Sequence, residues 1–156
     1  MTTSTFIEFP ADSDGWVRFV TERPDAARER VRALDAELIA CEADAATRLS
    51  LWNEAASAAA RAFNEPYLLA ESHPDSQVRA AAEQRVQEAE AQNAERGLNR
   101  ELFAAMQAID PDALDHDGRR VRERALREFR RAGVDRDDHT RARLKELAER
   151  DSALSL

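Results

Sequence analysis

The chain has 156 residues, 23 basic and 31 acidic side chains, and a formal net charge of −8. That length is sufficient for one domain with a sizeable core. The negative charge disfavours general binding to nucleic acid or to an anionic membrane, so we expect neither as a partner. Alanine, glutamate, arginine and leucine are abundant and glycine occurs only 4 times, a composition typical of helices.

Cysteine usage and the N-terminus indicate a cytoplasmic protein. Cys41 is the single cysteine, so no internal disulfide can form, and its helical spacing favours a small buried apolar residue. Residues 1–10 lack the basic region and apolar run of a signal peptide. No apolar stretch approaches the ~20 residues that a membrane-spanning helix needs.

Apolar residues recur at helical spacing after an extended segment at residues 1–13. Pro24 either kinks a long helix or lies in the first turn of a new one, and we favour a new helix. Pro66 and Pro74 predict an irregular connection over residues 64–75. The expected helices cover residues 14–22, 25–42, 44–63, 76–96, 98–109, 118–132 and 136–156. The predicted fold is all-α: one incomplete domain, residues 14–156, of about six or seven antiparallel helices and helical hairpins.

The predicted core consists of apolar stripes on these helices. Trp52 is predicted to anchor the core rather than to bind a ligand, because apolar residues flank it at helical spacing. The expected stripes are Ala27, Val31, Leu34, Leu38 and Cys41; Leu49, Trp52, Ala56, Ala59, Ala60 and Phe63; Val78, Ala82, Val86 and Ala89; and Leu98, Leu102, Met106 and Ile109.

Residues 118–147 are the most informative stretch and predict two helices joined by a sharp turn. Gly133 follows the last apolar position of the first helix, where a left-handed residue often ends a helix. The second helix carries Leu144, Leu147 and Leu154 along one side, so we expect a hairpin with one apolar seam. No residue between Thr140 and Leu156 signals an end to that helix. We therefore expect a chain cut inside a helix, with uncovered apolar surface at residues 144–156 and 16–20 that binds a hydrophobic dye or self-associates.

The sequence contains no recognisable catalytic or metal-binding motif. His73, His116 and His139 are far apart, none belongs to an H-E-x-x-H motif, and Cys41 has no partner for a zinc cluster. The 4 glycines are too dispersed for a phosphate-binding loop. We accordingly predict no catalytic, cofactor-binding or metal-binding residue in this chain.

One cluster of charges is unusual: a group of arginines on a single predicted helix. Either this helix binds phosphates, or its arginines pair with acidic helices packed around it. The net charge of −8 and the lack of interleaved exposed aromatics favour pairing. The arginines are Arg119, Arg120, Arg122, Arg124, Arg127, Arg130 and Arg131, and the nearby carboxylates are Asp117, Glu123 and Glu128.

Several segments, taken in order, resemble the thimet oligopeptidase and neurolysin family of zinc metallopeptidases, which includes oligopeptidase A. The resemblance rests on residues 73–75 and 78–83, on residues 98–103, and most clearly on residues 126–134 followed by 143–147. Trp16 and residues 51–53 are compatible with it. It implies the helical N-terminal part of a neurolysin-like fold, which forms one wall of a channel that admits short peptides.

The family's zinc ligands and catalytic glutamate lie further along the chain, and their motif is absent here. The resemblance thus implies a channel-wall portion of a zinc-dependent oligopeptidase that is inactive alone. Its partners would be the remainder of the peptidase chain and short peptides, and zinc would belong to the parent enzyme. The alternative is a free-standing helical protein–protein interaction module that binds a partner helix through the leucine seam.

Overall fold

A computed structural model describes the backbone of residues 8–154, and the side chains of that range except those of residues 148, 149 and 151–154. Within this range the chain forms helices and no strand, which confirms the all-α class. The helices are α1 Ser13–Ala40, α2 Ala45–Ser72, α3 Ser76–Gly97, α4 Arg100–Gln107, α5 His116–Ala132 and α6 Asp138–Leu154, with a 3₁₀ turn at Pro111–Ala113.

A short polar side chain caps the start of every one of these α-helices. For example, the Asp44 carboxylate accepts a hydrogen bond from the Thr47 amide at 2.8 Å, and Asp115 accepts one from Gly118 at 2.7 Å. Such caps satisfy amides that have no partner inside the helix, so they fix where each helix begins. The full set of caps is Asp12, Asp44, Asp75, Asn99, Asp115 and Asp137.

Two prolines that were expected to interrupt helices lie inside them. Pro24 falls within α1, so the helices predicted at residues 14–22 and 25–42 are one, and Pro66 falls within α2, where a loop was predicted. Both rings are almost fully buried. A proline has no amide hydrogen, so each helix lacks one backbone hydrogen bond at this position. The packing of the helix turns before and after each proline offsets that loss.

The three long helices run up, down and up as a bundle, and the shorter helices cover one end of it. The larger core cluster joins α1 and α2 to α4 and α5, and includes Leu38, Trp52, Met106 and Phe129. A smaller cluster around Val20 fills the other end. The predicted stripes of α3 and of residues 98–109 are buried as expected, whereas Cys41 is only half-buried against the core.

The buried face of α2 differs from the predicted one beyond Trp52. Leu49 and Trp52 are buried, but Ala56 and Ala60 are exposed. The buried residues that continue the stripe are Ala55, Ala58, Ala62, Pro66 and Ala70. In a run of alanines every face is similarly apolar, so the sequence did not fix which face turns inward.

The turn between α5 and α6 is built as the sequence predicted. Gly133 has φ 95°, its amide donates to the Arg130 carbonyl, and the Val134 amide donates to the Phe129 carbonyl at 3.1 Å. The second helix of this hairpin, α6, packs against α3. Leu144 is half-buried beside Gly133 and Leu147 is 46% exposed, whereas the side chain of Leu154 lies outside the described residues.

The predicted uncovered surface at residues 16–20 is largely covered. Val20 is buried, and the half-buried Trp16 ring lies 5.5 Å from that of Phe9 and 4.9 Å from that of His73. Residues 1–7 of the predicted extended segment lie outside the described residues, and residues 8–12 precede α1 without helical structure.

Candidate functional site: the arginine face of α5

Four arginines form one line along the solvent-facing side of α5. Arg120, Arg124, Arg127 and Arg131 follow the spacing i, i+4, i+7 and i+11, which places them on the same side of a helix, and all are exposed. The line extends about 16 Å along the axis at 1.5 Å per residue. We call these four residues the arginine stripe. Sequence reasoning found the cluster of seven arginines but not this subset, although the spacing is readable from the sequence.

The opposite side of α5 holds the stripe in place. Ala125, Leu126 and Phe129 are buried, and the Phe129 ring lies 5.6 Å from that of Trp52 in α2. Gly118 lets α5 approach α2 closely, because a Cβ at that position would lie 3.1 Å from a methyl group of Leu49. This packing directs the stripe away from the bundle.

The neighbouring arginines of α5 have structural partners. Arg122 donates to the Gln107 carbonyl at 2.9 Å, and thereby satisfies an acceptor at the C-terminus of α4. The guanidinium of Arg130 lies 5.6 Å from the centre of the Phe103 ring. Within the stripe, Arg124 donates to Glu128 at 2.8 Å in the same helix, which raises the pKa of Arg124.

Ion pairs between helices join several of the described helices. Arg23 pairs with Glu65 at 3.0 Å and Arg96 with Asp35 at 2.7 Å, each across two helices. Among the described residues, no arginine of α5 forms an ion pair with another helix. Over the described side chains, the predicted pairing of these arginines with acidic helices packed around α5 is therefore not found. The exposed side of α5 keeps six arginines against three carboxylates, in a protein of net charge −8.

Acidic residues limit the basic surface at both ends of α5. Exposed aspartates precede the stripe around the start of the helix, and others follow it in the turn before α6 and at the first residue of α6. The basic surface is therefore short, about the length of the helix itself. The aspartates are Asp110, Asp112, Asp115 and Asp117 at one end and Asp135, Asp137 and Asp138 at the other.

A depression of about 600 Å³ lies between α3, α4 and α6, and most of its charged groups already have partners. Arg100 pairs with Asp138 at 2.8 Å, Lys145 pairs with Glu95 at 2.6 Å, and Arg141 donates to the Leu98 carbonyl. A groove whose charges neutralise one another offers little to a charged ligand.

The three histidines do not form a site. His116 and His139 are exposed, and the part of the chain that the structure describes holds no group of three or more metal-ligating side chains. Ser13, His73 and Asp75 lie together, but the serine hydroxyl donates to the Asp75 carboxylate at 2.5 Å, and the Asp75 amide donates to His73 Nδ1. A nucleophilic relay needs the hydroxyl bonded to the imidazole, so this cluster is a helix cap.

Over residues 8–154, none of the helices combines the length and the apolar character that crossing a membrane requires. The chain matches no protein-family model, no curated protein and no solved structure. The likeness to zinc oligopeptidases therefore stays a prediction from the sequence.

Proposed function

We propose that this protein is a helical protein–protein interaction module that binds an anionic surface of its partner through the arginine stripe. The observation behind the proposal is the lack of acidic partners on other helices for Arg120, Arg124, Arg127 and Arg131 within the described residues. The alternative foreseen from the sequence placed binding on the leucine seam. Leu144 is partly covered by the turn at Gly133, so this part of the seam is less available than the stripe.

The arginines of the stripe repel one another, and carboxylates of α5 offset that repulsion. Charges three or four residues apart on a helix interact by about 0.2–0.5 kcal/mol per pair, unfavourably when alike and favourably when opposite. The stripe contains three like-charged neighbouring pairs, whereas Arg124 pairs with Glu128 and Glu123 lies four residues before Arg127. Carboxylates of a partner would add attraction along the stripe, which favours binding.

The channel-wall hypothesis places the function elsewhere, on contacts with a catalytic part of the same polypeptide. It remains a prediction, and none of the described residues favours it over the interaction module. Its own test is enzymatic: zinc-dependent cleavage of a short peptide by the purified 156-residue chain would contradict its statement that this chain is inactive alone.

Binding to immobilised poly-L-glutamate tests the interaction module. At about 50 mM salt, where exposed charges interact over longer distances, the wild-type chain should be retained despite its net negative charge. Changing all four stripe arginines to glutamine should abolish retention. The matched control changes four exposed arginines on other helices to glutamine, which lowers the net charge equally. These control positions are Arg18, Arg61, Arg143 and Arg150.

The two variants distinguish retention that depends on the stripe from retention that depends on the net charge of the whole protein. Retention of the control and loss of the stripe variant, with unchanged far-ultraviolet circular dichroism, supports the proposal. Equal loss in both variants means that total charge decides, and no retention of the wild type rejects binding through the stripe.

A further inference from the structure

We infer that the partner contributes an acidic α-helix that lies along α5, with carboxylates at positions i, i+4, i+7 and i+11. This inference rests on the proposed function and names the chemistry of the partner. Its basis is the match between the charges and spacing of the arginine stripe and those of such a helix.

The length of the basic surface limits the size of the partner segment. Exposed aspartates flank the stripe on both sides, including Asp117 in the first turn of α5 and Asp135 in the turn that follows the helix. A duplex nucleic acid carries phosphates along its whole length, so a long one would bring phosphates near these aspartates. A helix of three or four turns fits between them.

The spacing within the stripe favours a helix over an extended peptide. Successive arginines are separated along the axis by about 6.0, 4.5 and 6.0 Å, at 1.5 Å per residue. An acidic helix with the same sequence spacing reproduces these intervals. Residues on one face of an extended strand repeat every ~6.8 Å, so four carboxylates on a strand would exceed the stripe by about 4 Å.

Two carboxylates beside the stripe indicate which charges the partner helix should carry at its flanks. Glu123 and Glu128 lie on opposite sides of the line of arginines, about 70° away around the helix at 100° per residue. They would repel carboxylates at the flanks of a partner helix and attract lysine or arginine there. The expected partner helix is therefore acidic along one line and basic beside it, as at the edges of paired coiled-coil helices.

The stripe lacks the aromatic platforms that single-stranded nucleic acids use. Among the described residues, the large apolar side chains that are exposed are Phe9, Tyr67, Leu68 and Leu147, and none lies on α5. Base stacking on aromatic rings supplies much of the affinity in single-strand binding. A protein helix is thus the occupant that charge, length and surface composition favour.

Two synthetic peptides of identical composition test the inference on the full chain. One has glutamate at positions i, i+4, i+7 and i+11 with lysine at the flanks, and the other distributes the same glutamates around the helix. Fluorescence anisotropy at about 50 mM salt should show that the patterned peptide binds about ten-fold more tightly, since several surface ion pairs act together. The four-arginine glutamine variant should lose this preference, and the control variant should keep it.

A charge exchange gives a second, independent measurement. Arg127→Glu should weaken binding of the patterned peptide several-fold, and replacing the facing glutamate by arginine should restore it. Equal affinity for the two peptides, or no restoration, overturns the helix inference, and retention on polyglutamate would then leave the proposed function in place. Tighter binding to a 12-nucleotide single strand or duplex also overturns it. Absence of both peptide binding and polyglutamate retention rejects the proposed function itself.

Discussion

Arg96 joins the three long helices, and its removal should be among the most destabilising charge deletions in the protein. From α3, its guanidinium donates to both carboxylate oxygens of Asp35 in α1, at 2.7 and 3.0 Å. It also lies 4.1 Å from the centre of the Trp52 ring in α2. The Arg96 and Asp35 side chains are only 13% and 15% exposed, so water competes weakly for them.

The expected cost of Arg96→Ala follows from these three contacts. Hydrogen bonds to charged groups contribute about 1.5–3 kcal/mol to stability. A partly desolvated cation over an aromatic ring adds about 1 kcal/mol. Complete burial of the pair would raise the cost toward 3–5 kcal/mol, because an unpaired carboxylate would remain inside. Since both side chains keep some exposure, we expect a loss of about 2–4 kcal/mol for Arg96→Ala.

Urea unfolding followed by circular dichroism measures this loss as a change in the free energy of unfolding. A double-mutant cycle with Asp35→Ala isolates the ion pair from the contact with Trp52. The double variant should lose less than the sum of the single losses, since Asp35→Ala removes the stranded carboxylate. Arg96→Lys should recover only part of the stability, because an ammonium group cannot form the two parallel hydrogen bonds.

Arg30 provides the matched control for exposure. It pairs with Glu54 across α1 and α2 at 3.1 Å, but these side chains are 53% and 55% exposed. Arg30→Ala should therefore cost no more than about 1 kcal/mol. If Arg96→Ala and Arg30→Ala have the same cost, burial and planar geometry do not determine the strength of these pairs, and the reasoning fails.

Two further predictions concern the ends of the helices. Gly133→Ala should lower the free energy of unfolding by more than about 1 kcal/mol, because φ is 95° and the new Cβ would lie 2.5 Å from a methyl group of Leu144. Adding Leu144→Ala should relieve the clash but not the backbone strain, so full recovery in urea unfolding would contradict the prediction. Two hydrogen bonds lower the pKa of the Asp75 carboxyl: the larger effect comes from the Ser13 hydroxyl and the smaller from the Gln77 amide. As pH falls, the Asp75 carboxyl is therefore protonated in the unfolded state before it is protonated in the folded state. Its ionised form stabilises the fold fully above the usual aspartate pKa, and this stabilisation is lost as pH falls below about 4. Urea midpoints of wild type and Asp75→Asn should converge with falling pH, and a constant difference would count against this sign.

The helical class could be predicted because the local signals agree with one another. Every α-helix begins at an aspartate or asparagine cap, and Gly133 ends α5 in the left-handed conformation that its position predicted. The effect of the prolines on the helices was harder to predict from the sequence. Whether Pro24 and Pro66 break a helix depends on what packs against both sides of the ring, and that information comes from distant parts of the chain.

The inward face of α2 shows a second limit. Val78 and Val86 mark the buried face of α3 because polar residues occupy most of its other positions. The alanines between Ala55 and Ala62 offer little difference in burial energy from one face to another. Trp52 fixes the face at one end of α2. The buried Pro66 and Ala70 fix it at the other end, and neither could be used while residues 64–75 were expected to form a loop.

The arginines explain why the candidate site could be located but not interpreted from the sequence. Arg96, Arg122 and Arg127 have the same chemistry, but they serve as an interhelical ion pair, a cap for the end of α4 and an exposed member of the stripe. Which role each takes depends on whether an acceptor of another helix lies within reach of its guanidinium. For Arg127 none of the described residues of another helix supplies such an acceptor, and its nearest stripe neighbours are also cations. A surface that its own fold leaves positive, in a protein otherwise rich in carboxylates, is most simply explained if an acidic partner completes it.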